Sequence, residues 1–139
     1  MARETEGLEL DEDICTAGVR AVFGHPERGL YYVGEINHIV AGSMLITYEW
    51  SDWRNGVFWW IQSVYVDPDQ RGRGVFRALH NHVFLKAKAD PRVCGLRLYV
   101  ERENHRAQTV YQRVGFCPSV YRVFEQDFVL GHEVFHKQT

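Results

Sequence analysis

The chain lacks the features that mark disulfide-rich, membrane-spanning or secreted proteins. It has only 3 cysteines, Cys15, Cys94 and Cys117, with no Cys-x-x-Cys pair. An odd number of widely spaced cysteines does not form a disulfide framework, so we expect reduced thiols and a cytoplasmic location. The longest apolar run is residues 57–61, whereas a membrane span needs about 20 residues. Residues 1–6 show no apolar signal-peptide core. We therefore expect no membrane partner.

An excess of charge of one sign is also missing. The 16 Lys and Arg residues are balanced by 18 Asp and Glu residues, which gives a net charge of −2. Since nucleic-acid-binding domains are usually strongly basic, we expect no nucleic-acid partner. Apolar residues make up 45% and aromatic residues 14%, and these values are typical of a globular protein with one core. The length of 139 residues predicts a single domain over residues 1–139.

Apolar periodicity predicts an α/β fold with a mixed sheet. Strands are expected at 30–36, 39–50, 57–66 and 94–100, and a last pair of short strands at 119–125 and 128–130. Helices are expected after the capping residue Asp11, from Gly74 to about Ala89, and from the cap Asn104 to Gly115. The strand at 57–66 is nearly all aromatic or β-branched, which predicts burial on both faces, and Gly42 indicates a possible bulge.

The most specific feature is the turn between a strand and a helix at residues 67–76, Asp-Pro-Asp-Gln-Arg-Gly-Arg-Gly-Val-Phe. Its glycines let backbone N–H groups approach an anion, and the helix N-terminus and two arginines add positive charge. This combination suits a pyrophosphate, although the glycines alone leave a tight turn without a ligand as the alternative. The turn lacks both the Gly-Lys-Ser/Thr of a P-loop and the third glycine of the dinucleotide-binding fingerprint.

Together with a second motif, this turn resembles the GNAT (Gcn5-related) N-acetyltransferase family. The acyl-CoA motif of that family is Arg/Gln-x-x-Gly-x-Gly/Ala; Arg71 and Gly74 match its first and fourth positions, and Phe76 departs from the sixth. The second signature is an Asn, an Ala three residues later, a Tyr and a Gly-Phe pair. It is matched by Asn104, Ala107, Tyr111, Gly115 and Phe116. The resemblance covers roughly residues 30–128.

The resemblance implies a GNAT-like fold, a mostly antiparallel twisted sheet flanked by helices, with acetyl-CoA as co-substrate and no metal. Nothing strand-like precedes the acidic start, so we expect the first strand of the family to be missing. In the family two strands splay apart, and the pantetheine would pair with the backbone exposed there. The cofactor-binding residues implied are Val64, Tyr65, Val66, Arg71, Gly72, Arg73, Gly74, Val75, Phe76, Asn104 and Ala107.

The resemblance also implies catalytic roles. Tyr111 would protonate the leaving CoA thiolate, while backbone N–H groups near residues 64–66 would hold the oxyanion. The alternative for Tyr111 is a plain core position, because it lies on the apolar stripe of its helix. The general base is not marked by the motifs. Glu49 is favoured over Asp52 and Glu101, and a solvated surface charge is the alternative for each of the three.

The expected function is acetyl-CoA-dependent transfer of an acetyl group to a primary amine of a small molecule or peptide by direct attack. The alternative is a non-catalytic acyl-CoA-binding regulatory module of the same fold. Six carboxylates among the first thirteen residues predict attraction of a cationic amine, unless they serve only a helix N-terminus. The strand at 30–36 would lie at a sheet edge, which predicts a homodimer through that strand or through residues 121–130. The alternative is a monomer whose own N-terminal segment covers this edge.

Two histidine patterns lie outside these motifs and have to be judged as possible metal or helix-surface sites. Residues 132–136, His-Glu-Val-Phe-His, match the zinc motif H-E-x-x-H, but only three residues follow them. A helix that short is poorly stable, so we expect no zinc there. His80 and His82 are two residues apart and do not face each other on a helix, which indicates surface or groove positions.

Overall fold

The computed structural model describes residues 9–130, which form a four-stranded sheet with three α-helices. The elements in chain order are α1 (Glu12–Phe23), β1 (Leu30–Ile36), β2 (Ile39–Ser51), β3 (Gly56–Val66), α2 (Val75–Ala89), β4 (Val93–Leu98) and α3 (His105–Arg113). Short 3-10 turns at Asp52–Arg54 and Pro68–Gln70 precede β3 and α2. The alternation predicted by apolar periodicity is confirmed for all seven elements.

The sheet is mixed, as predicted, with the strands in the order β1-β2-β3-β4. β1, β2 and β3 are antiparallel neighbours, and β4 runs parallel to β3. The β1–β2 hairpin turns at Asn37 and His38, whose φ angles are 51° and 64°. Positive φ at both central residues matches the right-handed twist of the flanking strands, and asparagine tolerates it well. The predicted mixed, mostly antiparallel sheet with flanking helices is therefore confirmed, and β1 lies at its edge.

The core lies between α2 and one face of the sheet. The apolar positions of α2 that repeat every four residues, Val75, Leu79, Val83 and Ala87, are all buried. They face Ala41, Met44, Ile46 and Ile61 from the sheet. A Cβ at Gly42 would lie 2.9 Å from Val75 Cγ1, so the glycine lets the first turn of the helix approach the strand closely.

Two bulges interrupt the ladders. Between β1 and β2 the pairing passes from Gly34–Gly42 to Glu35–Val40, which leaves Ala41 as the extra residue beside the predicted bulge at Gly42. Between β2 and β3 it passes from Ser43–Tyr65 to Leu45–Gln62, so β3 has one residue more than β2. Ser63 in this second bulge has φ 43°. Such bulges bend a strand and increase its twist, and this one begins the last part of β3.

Several expectations about the strands were wrong. β3 is not buried on both faces along its whole length, because Ser63 and Tyr65 are exposed. β4 ends at Leu98 rather than at residue 100. No strand forms within residues 119–130; this segment is exposed, with Phe124 at 91% and Phe128 at 95%. A β-prone sequence becomes a strand only where an edge accepts its backbone hydrogen bonds, and here the segment does not pair with β4.

α1 is capped as predicted, since the Asp11 side chain accepts a hydrogen bond from the Ile14 amide at 3.0 Å. None of its residues is buried, and its described ring contact is Phe23 stacked on Tyr31 of β1, with centroids 5.5 Å apart. The expected absence of a strand before α1 concerns residues 1–8, and the H-E-x-x-H pattern concerns residues 132–136. Both lie outside the described residues. Within residues 9–130, no helix is long and apolar enough to cross a bilayer.

Candidate functional site

The two central parallel strands separate near their carboxyl ends. The β3–β4 pairing ends at Ile61–Leu98, yet β3 continues to Val66 and there pairs only with β2. The backbone groups of Gln62–Val66 that point away from β2 therefore have no partner strand. Unpaired backbone groups require another hydrogen-bonding partner. The predicted pantetheine-binding residues Val64, Tyr65 and Val66 lie in this opening, directly after the bulge at Ser63.

The turn that follows β3 is ordered by its own side chains. The Asp67 carboxylate accepts from the Asp69 amide at 2.9 Å and caps the 3-10 turn. Arg71 Nε donates to the Val66 carbonyl at 3.2 Å, which ties the turn to the end of β3. Arg73 donates to the Gln70 side-chain oxygen at 2.5 Å. Both arginines are exposed and add positive charge beside the start of α2.

The start of α2 presents backbone donors to solvent. Among the described residues, the amides of Gly72 through Arg77 have no acceptor, as is usual for the first turn of a helix. Gly72 and Gly74 have φ angles of 77° and 80°, and no atom lies within 4 Å of a Cβ placed at either position. Positive φ disfavours other residues at both positions, and the space around them is open. These donors and the helix dipole together can hold an anion.

Phe76, the residue that departs from the GNAT motif, packs into an aromatic cluster. Its ring centroid lies 5.7 Å from Tyr111 and 6.1 Å from His80. His80 also contacts Phe116 and is buried, so it is not a surface residue, and it lines a pocket together with Phe116. Desolvation of the ring lowers the pKa of His80. The Phe76 side chain thus contacts the helix that carries Tyr111, while its amide remains at the turn.

Tyr111 lies on α3, whose first turn is fixed by Asn104. The Asn104 side chain accepts from the Ala107 amide at 3.0 Å, so its carbonyl oxygen serves as a helix cap. The Tyr111 ring contacts Phe76 and Phe116 and is partly buried. Burial raises the pKa of Tyr111, so the phenol keeps its proton at neutral pH. The geometry therefore permits a proton donor here, and the catalytic role stays a prediction.

Glu49 on β2 is held by two donors, one from β3 and one from β4. Trp60 Nε1 donates to it at 2.8 Å and Arg97 at 2.6 Å, and the Arg97 guanidinium lies 3.7 Å from the centroid of the Phe58 ring. The other two proposed bases have local roles. Asp52 accepts from the Trp53 amide and Glu101 from the Glu103 amide. Of the three carboxylates, Glu49 alone has partners from other strands.

Glu49 and Tyr111 line the same cleft, which has a volume of about 880 Å³. One wall is formed by Trp60 and Tyr99, whose ring centroids are 4.4 Å apart. Sequence reasoning missed Trp60, Arg97 and Tyr99, because no motif marks them and only the strand register places them beside Glu49. The described acidic residues of the N-terminal stretch, Glu9, Asp11, Glu12 and Asp13, do not line this cleft. The attraction of a cationic amine by the acidic stretch therefore stays a prediction.

No group of three or more His, Cys, Asp or Glu side chains within residues 9–130 is arranged to hold a metal ion. The site is instead built from backbone donors, aromatic rings, a phenol and one ion pair.

Comparisons with known proteins bear on this arrangement. Residues 3–116 match the model of the Acetyltransferase (GNAT) family. The mycothiol acetyltransferase of Beutenbergia cavernae is 30% identical to this chain, and the match covers 81% of the chain and 43% of that protein. The chain thus spans less than half the length of this relative.

Two solved structures match over a larger share of both chains than this relative does. A possible acetyltransferase from Clostridium difficile 630 is 42% identical with a TM-score of 0.85, over 92% of this chain and 84% of that one. AAC(6')-Iy, in complex with the bisubstrate analog CoA-S-monomethyl-acetylneamine, is 15% identical with a TM-score of 0.73, over 91% of this chain and 86% of that one. At that identity the likeness shows a shared fold.

Proposed function

Because the chain belongs to the GNAT acetyltransferase family, we propose that it transfers an acetyl group from acetyl-CoA to a primary amine of a small molecule or peptide. The observation that carries the proposal is the opening between β3 and β4 beside the turn of free amides. An extended chain with amide groups at one end and a diphosphate at the other has partners for both along this path. The pantetheine of acetyl-CoA followed by its diphosphate is such a chain.

We assign the diphosphate to the amides of residues 72–76, with Arg71 and Arg73 as flanking charges. The pantetheine amides would pair, as an added strand, with the backbone groups of Val64–Val66 that face away from β2, where the Val66 carbonyl already accepts from Arg71. Asn104 and Ala107 would form the opposite wall of the opening. In this assignment Phe76 contributes its backbone amide, since its ring packs against Tyr111.

In the proposed reaction the amine nitrogen attacks the thioester carbonyl, a C–N bond forms and the C–S bond breaks. Free N–H groups near residues 64–66 would stabilise the oxyanion. The Tyr111 hydroxyl would donate its proton to the departing thiolate. The amine must lose a proton, which would pass to Glu49 directly or through water. Glu49 accepts two hydrogen bonds, and a carboxylate has further lone pairs for a third partner.

A panel of primary amines incubated with acetyl-CoA tests this function. We expect release of free CoA that depends on the amine. Acetyl-CoA binding without release for every amine would favour the alternative, a non-catalytic acyl-CoA-binding module.

Arg73→Glu should weaken CoA binding, and the wild-type affinity should fall with salt because the contacts are charged. Arg20→Glu on α1 makes the same charge change away from the turn and serves as control. Equal CoA affinity in the Arg73 variant and wild type would contradict the assignment.

We further propose that the chain forms a homodimer in the cytoplasm. In the described part of the chain β1 is a sheet edge that pairs only with β2, with Leu30 and Val33 about half exposed, and the apolar side chains of residues 120–130 are exposed. Such surfaces favour association. Cys15, Cys94 and Cys117 are free thiols, which fits a reducing compartment. Light scattering at micromolar concentration should give twice the mass of one chain, and the mass of a single chain would reject the dimer.

A further inference from the structure

The cleft that contains Glu49 and Tyr111 has an excess of positive charge, although the whole chain has a net charge of −2. Its charged lining residues are Glu49, Asp52, Arg54, Arg97, Arg102 and Arg122. Four guanidinium groups thus face two carboxylates. The local charge is therefore positive, whereas the net charge of the protein is negative. A positive lining would repel a purely cationic amine, although the acidic N-terminal stretch predicts that such an amine is attracted.

The four arginines differ in how they are engaged. Arg97 is paired with Glu49, and Arg54 donates to Ser51 at 3.5 Å and lies over the Phe58 ring. Arg102 and Arg122 are exposed, and within residues 9–130 neither guanidinium has a carboxylate partner. Two guanidinium groups at the cleft are therefore available for a ligand.

From these observations we propose that the acceptor is an amine that also carries an oxyanion, either a carboxylate or a phosphate, bound by Arg102 and Arg122. This inference rests on the proposed acetyl transfer. Guanidinium groups recognise both kinds of oxyanion through paired N–H donors. A substrate with only positive charge would be repelled by the lining, whereas a substrate with both charges would be held by its anion.

The same charges assist the reaction at the amine. An ammonium group beside positive charges loses its proton more readily, because like charges disfavour the charged form. The neutral amine is the nucleophile, so the arginines would raise its population in the bound substrate. The aromatic wall of Trp60 and Tyr99 provides an apolar surface for the rest of the acceptor.

Two pairs of probes test the proposal by calorimetric titration into protein saturated with CoA, where no acetyl transfer occurs. Tryptophan and tryptamine differ by a carboxylate, and O-phosphoethanolamine and ethanolamine differ by a phosphate. In at least one pair, we expect the anionic member to bind about tenfold more tightly than its partner. The pair that shows the preference identifies the oxyanion as carboxylate or phosphate.

Arg102→Gln and Arg122→Gln should reduce that preference to less than about threefold, while Arg20→Gln on α1 should leave it unchanged. The affinity for CoA should stay the same in all three variants. The proposal is overturned if the cationic members bind at least as tightly, if none of the four probes binds, or if the variants lose affinity for CoA instead. Acetylation of tryptamine or ethanolamine without any anion preference would reject the anion site and leave the proposed transfer intact. An anion preference without acetyl transfer to any amine would support the anion site and reject the proposed transfer.

Discussion

Replacing Tyr111 by Phe removes a single oxygen atom from the centre of the site. Its ring contacts with Phe76 and Phe116, at centroid distances of 5.7 and 6.2 Å, are available to phenylalanine as well. The described residues give the hydroxyl no hydrogen-bond partner. We therefore expect the free energy of unfolding to change by less than about 0.5 kcal/mol. A plain core position predicts the same small change, so stability does not separate the two roles and turnover must.

As a general acid, the Tyr111 hydroxyl would accelerate the collapse of the intermediate by about 10²-fold or more. Since each tenfold change in rate corresponds to about 1.36 kcal/mol, the variant should lose about 2.7 kcal/mol of transition-state stabilisation. Burial raises the pKa of Tyr111 above its ordinary value of 10.0. The wild-type kcat should therefore fall only at still higher pH, where the phenol loses its proton. The Phe variant should lack that fall.

The assay follows release of free thiol with an accepted amine, together with a thermal melt and a CoA titration. Tyr48→Phe is the matched control, because Tyr48 contacts Trp59 and does not line the cleft. We expect the Tyr111 variant to lose turnover and to keep CoA affinity and stability, while the control keeps all three. A Tyr111→Phe enzyme within about threefold of the wild-type kcat would refute the reasoning and leave water as the proton source.

Two further predictions concern the core. Burial lowers the pKa of His80 from its ordinary value of 6.5, so the folded chain binds fewer protons there than the unfolded chain, and stability should fall as the pH drops below that value. Between about pH 7 and pH 5 the denaturation midpoint should decrease less for His80→Leu than for the wild type. An equal decrease in both proteins would contradict this. In Gly42→Ala the new Cβ would lie 2.7 Å from the Tyr65 carbonyl oxygen. The strand must shift, and chemical denaturation should show a loss of about 1–3 kcal/mol; no loss would show that β2 moves freely here.

Features that depend on neighbouring residues along the chain were predictable from the sequence. The caps at Asp11 and Asn104 were both identified from residue type, and each has the expected hydrogen bond. The four-residue repeat of α2 identified its buried side. In these cases the physical cause lies within one or two turns of the chain, where side-chain hydrogen bonds and apolar spacing act directly.

Features that depend on pairing between distant strands were not predictable in this way. The ion pair between Glu49 and Arg97 joins residues 48 positions apart. It requires the antiparallel register of β2 on β3 and the parallel register of β4 on β3 together. The segment at 119–130 is a second case in which the outcome depends on pairing between distant parts of the chain. Its β-branched and aromatic residues predict strands, yet no edge of the described sheet accepts them, so strand propensity alone gave a wrong assignment.

Phe76 illustrates why a departure from a motif has to be judged in three dimensions. In the sequence it is the one mismatch to the acyl-CoA motif in the turn at residues 67–76. In the fold it contacts Tyr111 of the second motif, which lies 35 residues further along the chain. A glycine or alanine at this position would supply the same amide but no ring. The aromatic side chain therefore packs the helix that presents the amides against the helix that carries the phenol. Close packing of this kind limits relative movement, and a proton donor must be held within hydrogen-bond reach of its acceptor.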